Sequence, residues 1–471
     1  MAELHELTAL EQGEAIRSGE VSPVDLVEHY LDRIRLLSDE VGAFVTVTAD
    51  AARERAARLE SPPDDPGRSP LFGVPTAIKD LNMTAGVRTT FGSAAMADFV
   101  PEVSDEVVLR IERAGLVSLG KTNAPELGSP CYTEPDVAPA ARTPYDLERM
   151  AGGSSGGAAA AVAAGLLPVA HGSDGGGSIR IPASCCGLFG FKPSRGRISA
   201  GPVYGDPVGL GTSGPLARTV RDAAALLDVM AGPAVGDPYW APPLRAGESY
   251  LGWCDRAPGP LRIARFATPI VSDAVVHEEC LQAYAIATGL LVGLGHEVEE
   301  VEVPIPASVV PTFETCWAVL TALWPVAPEA QSKLRPLTRW LQERGSTVSG
   351  PEFGVAISQL RQVAAAALAR LAPYDAVLTP TLAQPPLRIG EIRDDDDPAR
   401  DFENQKRFTP FTSAWNLTGM PAASLPLHLS AEGLPIGVML AGRPGEDHRL
   451  LALCAQVEAA GCWWDRHPPC W

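Results

Sequence analysis

The sequence predicts a layered α/β protein, and three observations carry that expectation. Short apolar runs at residues 74–78, 116–119, 166–170, 263–266, 376–378 and 436–440 have strand length and almost no charge. Amphipathic stretches at residues 106–113, 217–231, 275–294 and 448–460 have helical period and separate many of those runs. Two serine-bearing glycine clusters, residues 152–157 and 173–178, flank a short alanine-rich segment. Alternation of strand and helix patterns favours a mostly parallel sheet covered by helices. Glycine clusters beside hydroxyls indicate main chain brought close to something small, such as a reacting carbonyl.

Taken in order, the chain begins with helices. Ser22 before Pro23 predicts an N-cap with proline at the first helical position. Val24, Val27, Tyr30, Leu31 and Ile34 follow at helical spacing, and residues 50–59 continue the helical pattern. The Pro/Gly/Asp-rich residues 61–70 read as a loop. Residues 233–259, rich in Pro, Gly, Trp and Asp, read as a long surface excursion. Between 304 and 350, Phe313, Trp317, Trp324 and Trp340 concentrate aromatic surface on helices. The acidic run 394–397 reads as a solvated loop, and no internal repeat is evident.

Bulk properties exclude several classes. A length of 471 residues admits two or three domains or one large α/β domain. The content of 46% hydrophobic and only 6% aromatic residues suits a large core of Ala, Val and Leu. A net charge of −19 argues against nucleic-acid partners and anionic membranes, and reads as a solubility charge. The opening residues lack a basic and then apolar signal segment. The most apolar stretch, 158–170, is too short to cross a bilayer and contains Pro168. Nine cysteines without C-x-x-C spacing signal neither a metal site nor a disulfide framework, so a cytoplasmic location with reduced thiols is expected.

Two motif matches are misleading. Residues 115–122 fit the P-loop pattern, but the intervening residues are apolar and strand-like. Pro125 blocks the helix that should hold the phosphates. Residues 152–156 satisfy G-x-S-x-G, yet residues 146–150 do not form the hydrophobic strand a nucleophile elbow requires. His171 reads as a structural residue at a strand end. No histidine further along sits in a telling context, so lysine is the alternative base for a serine nucleophile. Lys79 ends an apolar run, where burial would depress its pKa. An ordinary lysine is neutral only about once in 2,500 at pH 7, so a basic Lys79 requires that depression.

These pieces resemble the amidase signature family of serine hydrolases. The glycine-serine cluster 152–157 matches its G-G-S-S-G-G, and residues 172–183 match G-[ST]-D-x-G-G-S-[IV]-R-x-P-A. Residues 187–197 match G-x-x-G-x-K-P-[ST]-x-G-R, residues 73–80 match G-V-P-x-x-x-K-D, and residues 120–126 match G-K-T-N-x-x-E. The segments 416–421 and 433–437 also look like family landmarks. The resemblance departs at residues 137–144, where an aromatic-Gly-x-x-x-Asn-Pro stretch is common, and at Gly175, where a larger residue is common.

The resemblance implies an α/β/α sandwich around a large twisted mixed sheet, forming one domain over residues 1–471. Residues 61–220 would carry the catalytic core, and the divergent residues 233–350 would shape the substrate pocket. It implies a Ser-cisSer-Lys unit: Ser178 as nucleophile, Ser154 as bridging serine after a cis peptide bond, and Lys79 as base. Backbone N–H groups of Gly175, Gly176, Gly177 and Ser178 would form the oxyanion hole. Asp174 and Arg180 would brace the loop, and Ser155 would support it while standing at a helix N-cap. Cys131, Tyr132, Cys316 and Trp317 are candidate pocket residues, with core packing the competing reading for the last two.

The implied activity is metal-free and cofactor-free hydrolysis of a small carboxamide, anilide or carbamate through an acyl-enzyme. Residues 172–187 look most like stand-alone bacterial amidases, including those acting on linear or cyclic oligoamides, and urethanase or esterase side activity is compatible. A homodimer is compatible with the resemblance. Two alternatives are kept: a glutamyl-tRNA amidotransferase A-type subunit, and a non-catalytic binding protein on the same fold.

Overall fold

The computed structural model describes residues 3–60, 68–271 and 273–471. Most of the loop expected over 61–70 therefore lies outside the described residues. The first strands, β1 (Phe44–Val47), β2 (Pro75–Lys79) and β3 (Val117–Thr122), form a small sheet in the order β1-β3-β2. A short hairpin pairs β4 (Arg142–Thr143) with β5 (Asp146–Met150).

The large sheet contains β6 (Val169–Asp174), β7 (Phe189–Lys192), β8 (Thr212–Ala217), β9 (Arg262–Arg265) and β10 (Glu297–Glu300). It is completed by β11 (Ala376–Pro380), β12 (Ala422–Leu429) and β13 (Pro435–Gly442), in the order β10-β9-β11-β13-β12-β7-β8-β6. Only β10/β9 and β9/β11 pair in parallel; the pairs from β11 through to β6 are antiparallel. The sheet is thus mixed, as the family resemblance implied. The mostly parallel sheet read from alternation alone is overturned. Burial on both faces produces an apolar strand whichever way its neighbours run.

The alternation of side chains explains the layers. Along β13, Ile436, Val438 and Leu440 enter one core with the helices Val220–Met230, Glu278–Gly293 and Asp447–Gly461. Met439 and Ala441 enter the opposite core with the helices Val310–Ala322 and Gly350–Leu371. Strand β11 divides the same way, with Ala376 and Leu378 on one side and Val377 on the other. This two-residue period with both faces apolar makes an α/β/α sandwich. Ser22 caps the helix Pro23–Val41, whose Val27, Tyr30, Leu31 and Ile34 are buried as expected, while Val24 is only partly buried and Leu26 joins the buried face.

The small and large sheets meet at β2 and β6. The Thr76 hydroxyl donates to the Val169 carbonyl at 3.0 Å, and the Lys79 N–H donates to His171 Nδ1 at 3.3 Å. Residues 233–259 hold only one short helix, Tyr250–Trp253, as expected of an excursion. The acidic run is more than a solvated loop. Asp397 caps the helix Pro398–Phe408, Asp394 pairs with Arg400, and Asp395 pairs with Arg335 and Arg393.

Candidate active site

Three loops converge where β2 and β6 end. Lys79 closes β2, Ser154 and Ser155 lie between β5 and the helix Gly156–Ala163, and Ser178 lies between β6 and the helix Arg180–Cys185. Lys79 is wholly buried; its ammonium nitrogen donates to Ser154 Oγ at 2.8 Å and to the Ser173 carbonyl at 3.0 Å. Burial pushes its pKa down from 10.5 to about 7, against a partial upward pull from Asp174. His171 is also buried and pushed down to about 3, by burial first and then by Lys79 and Lys121. Its Nδ1 accepts the Lys79 N–H, so the neutral ring offers its Nε2 proton to Ser213 Oγ, 3.1 Å away. His171 therefore anchors backbone, as expected for a structural residue.

The peptide bond between Gly153 and Ser154 is cis. A Cβ on Gly153 would stand 2.8 Å from the Tyr132 backbone, so the close approach of these two strands of chain requires glycine there. Ser155 occupies the N-cap position but does not cap with its side chain. Its hydroxyl instead donates to the Ser173 carbonyl at 3.1 Å and accepts the Ser173 N–H at 3.3 Å. That corrects the capping role, because the strand end offers both a donor and an acceptor. Its N–H donates to the Ser178 carbonyl at 3.1 Å, tying the second loop to the third.

The third loop is built around a buried ion pair. Arg180 grips both oxygens of Asp174, each at 2.9 Å, with both side chains fully excluded from solvent. Burial opposes the Asp174 charge, but the Arg180 guanidinium outweighs it, helped by Lys192 and Asn416, and the carboxyl stays well below its usual range. Asp174 also accepts the N–H groups of Gly177 at 2.7 Å and Ile179 at 3.1 Å. This departs from the expected oxyanion donor set, because the Gly177 N–H is taken by the Asp174 carboxylate. Gly177 has φ +138°, and a Cβ there would meet Thr412 Oγ1 at 2.5 Å.

Ser178 is 8% exposed and lines a cleft of about 900 Å³, open mouth included. Cys131 and Trp317 line it as expected. The Trp317 indole stacks on Phe313, donates to Ser129 Oγ at 3.0 Å, and lies 3.6–3.8 Å from where Cβ atoms on Gly175 and Gly176 would stand. Tyr132 and Cys316 do not line the cleft. Tyr132 is buried, with its hydroxyl donating to Asp401 at 2.5 Å, and Cys316 is buried in the core that also holds Phe266 and Trp415. Cys316 and Trp317 are consecutive on one helix and point in different directions, which sequence alone does not reveal.

Other contributors came from beyond residue 400. Thr412 donates to the Gly176 carbonyl at 2.6 Å, and Asn416 donates to the Asp174 carboxylate at 2.8 Å and accepts from Arg180 at 2.7 Å. The landmark at 416–421 signalled Asn416, and no motif marked Thr412. Lys121, whose motif mimicked a P-loop, is buried in strand β3 and bonded to Asn82, Thr84 and Thr89.

The chain is similar to known proteins over nearly its whole length. The Amidase family matches residues 25–451. A 6-aminohexanoate-cyclic-dimer hydrolase of Paenarthrobacter ureafaciens is 36% identical over 98% of this chain and 96% of its own. A solved 6-aminohexanoate cyclic dimer hydrolase superposes with a TM-score of 0.92 at 33% identity, covering all of both chains. A peptide amidase of Stenotrophomonas maltophilia superposes with a TM-score of 0.81 at 27% identity, over 98% of each chain. Fold and relatives define an amidohydrolase. The chain belongs to the amidase family, over nearly its whole length.

Proposed function

We propose that the chain hydrolyses small carboxamides, anilides or carbamates through an acyl-enzyme on Ser178, with Ser154 and Lys79 relaying protons. The observation that carries this reading is the buried Lys79 amine 2.8 Å from Ser154 Oγ, with a pKa near neutrality. In that mechanism neutral Lys79 takes the Ser154 proton while Ser154 takes the Ser178 proton. Ser178 Oγ bonds to the carbonyl carbon, and the π pair moves onto oxygen. Gly175, Gly176 and Ser178 supply the N–H groups that meet the oxyanion, Gly177 being engaged elsewhere. Collapse breaks the C–N bond, the nitrogen leaves with the relayed proton, and water releases the acid by the reverse path.

In this reading the core spans residues 61–220, and residues 233–350 shape the pocket of a single domain. Support for the second part comes from Ile270, Ile305, Val309, Phe313 and Trp317 along the cleft. Residues 402–417 form the opposite wall. The apolar lining fits linear or cyclic oligoamides and aryl amides, and urethane cleavage is included in the proposal. A cytoplasmic location is part of it as well; all nine cysteines are unpaired, and no described helix is long and apolar enough to cross a membrane.

The test is a panel of p-nitroanilides, primary amides, cyclic amides and aryl carbamates, with a serine-directed probe on the same protein. Probe adduct on the Ser178 peptide, lost in Ser178→Ala together with turnover, is the expected result. An adduct trapped on another residue would overturn the assignment. Turnover only with an added partner protein would favour the amidotransferase alternative.

A further inference from the structure

A second cleft, of about 590 Å³ with its open mouth, is lined in part by Leu417 and Thr418 of the helix Ala414–Thr418 and does not include Ser178. Its floor is apolar and buried: Val208, Leu210, Leu360, Ala364 and Leu417. Two arginines, Arg195 and Arg361, stand in its lining. Tyr239 joins them: the Arg361 guanidinium donates to its hydroxyl at 3.3 Å, and that of Arg195 lies over its ring at 5.6 Å.

Neither cation forms an ion pair with a carboxylate among the described residues, although the charge of Asp206 acts on Arg195. Arg195 spends Nε on the Gly209 carbonyl and Nη2 on the carbonyls of Asn416 and Leu417, leaving Nη1 out of those bonds. Asp206 is the nearby carboxylate, and it is turned toward backbone. Its two oxygens accept four N–H groups, from Val208, Gly209, Leu210 and Gly211. Among the described residues no carboxylate forms an ion pair with Arg195 or Arg361. In a chain of net charge −19, two neighbouring guanidiniums without an ion pair, one of them largely buried, stand beside an apolar floor and suit an anion.

We propose that this cleft binds a small amphipathic monocarboxylate. The carboxylate sits between Arg195 Nη1 and Arg361, and the alkyl or aryl body lies on Leu210, Leu360 and Ala364. A single negative charge matches the two cations, and the one other polar side chain of the lining, Thr418, spends its hydroxyl on the Ala414 carbonyl. Leu417 lines both clefts, so the occupant shares a wall with the Ser178 cleft without entering it. The inference does not depend on the reaction proposed above, because it is read by binding alone.

The experiment is calorimetric titration of octanoate into the full chain carrying Ser178→Ala, with 1-octanol as the uncharged control. Saturable octanoate binding is expected, weakened about tenfold or more by Arg361→Gln and further by Arg361→Glu, but retained in Trp317→Ala. Arg361 is exposed, so these variants should keep the unfolding midpoint of the parent. The proposal is overturned by absence of binding at millimolar octanoate, by equal affinity for 1-octanol, or by indifference to both Arg361 changes. Loss of binding in Trp317→Ala instead would place octanoate in the Ser178 cleft and overturn it too.

Discussion

Replacing Lys79 by methionine should remove activity and change the pH dependence of stability in a calculable way. The unfolded chain holds the Lys79 proton up to pH 10.5, whereas the folded chain releases it above about 7. Between those values the unfolded state binds more protons, so the wild-type protein gains stability as pH rises through this window. Below about pH 7 the cost of burying the amine is present in full. With those two pKa values, proton linkage puts the cost at about 4 kcal/mol at pH 7 and about 2 kcal/mol at pH 9. Methionine has similar length and no charge, but loses the bonds to Ser154 and the Ser173 carbonyl, worth roughly 1 kcal/mol each. The variant should therefore be more stable than the parent by about 2 kcal/mol at pH 7, with the difference vanishing near pH 9. Urea unfolding at both pH values, with m-values compared, measures this. Other buried lysines, including Lys192, titrate alike in both proteins and cancel. A constant stability difference across pH 7–9 would refute a depressed Lys79 pKa, and with it the amine as base. The wild-type kcat/KM should fall as pH drops through about 7, where Lys79 takes up its proton.

Further substitutions separate the parts of the third loop. Gly177→Ala should cut the acylation rate about 100-fold, because its Cβ would collide with Thr412 and shift the neighbouring N–H donors. Gly175→Ala, whose Cβ meets only the Trp317 ring at 3.8 Å, should stay within a few-fold; equal losses in stopped-flow acylation would reject this division. Arg180→Met should cost about 3–5 kcal/mol in urea unfolding by stranding the Asp174 charge, and adding Asp174→Asn should recover part of it. No recovery in the double variant would mean that the ion pair is not the source of the loss.

Helices and the six apolar strands were legible because burial imposes a period that survives in a single sequence. The helix over 106–113 has the same limits in the structure, and the strands differ by a few residues. Strands β7, β8 and β12 were not legible. Phe189–Lys192, Thr212–Ala217 and Ala422–Leu429 contain Gly, Pro, Lys or His where a strand pattern would want unbroken apolar or alternating residues. Their pairing is settled by partners far away in the chain, and without them the antiparallel half of the sheet disappears from view. That is why alternation alone pointed to parallel pairing.

The candidate site divides along the same physical line. Lys79, Ser154 and Ser178 stood inside motifs whose glycines mark backbone that nothing larger would fit, as the 2.8 Å and 2.5 Å approaches at Gly153 and Gly177 illustrate. Such constraints are local and leave letters in the sequence. The cleft walls carry no comparable mark, since any apolar side chain of suitable size can cover them. Cys316 and Trp317 are adjacent, yet one enters the core and the other the cleft, because successive helical residues point about 100° apart. Gly177 shows the limit from the other side. Its motif identifies a glycine needed for geometry, but only the structure reveals that its N–H donates to the Asp174 carboxylate at 2.7 Å.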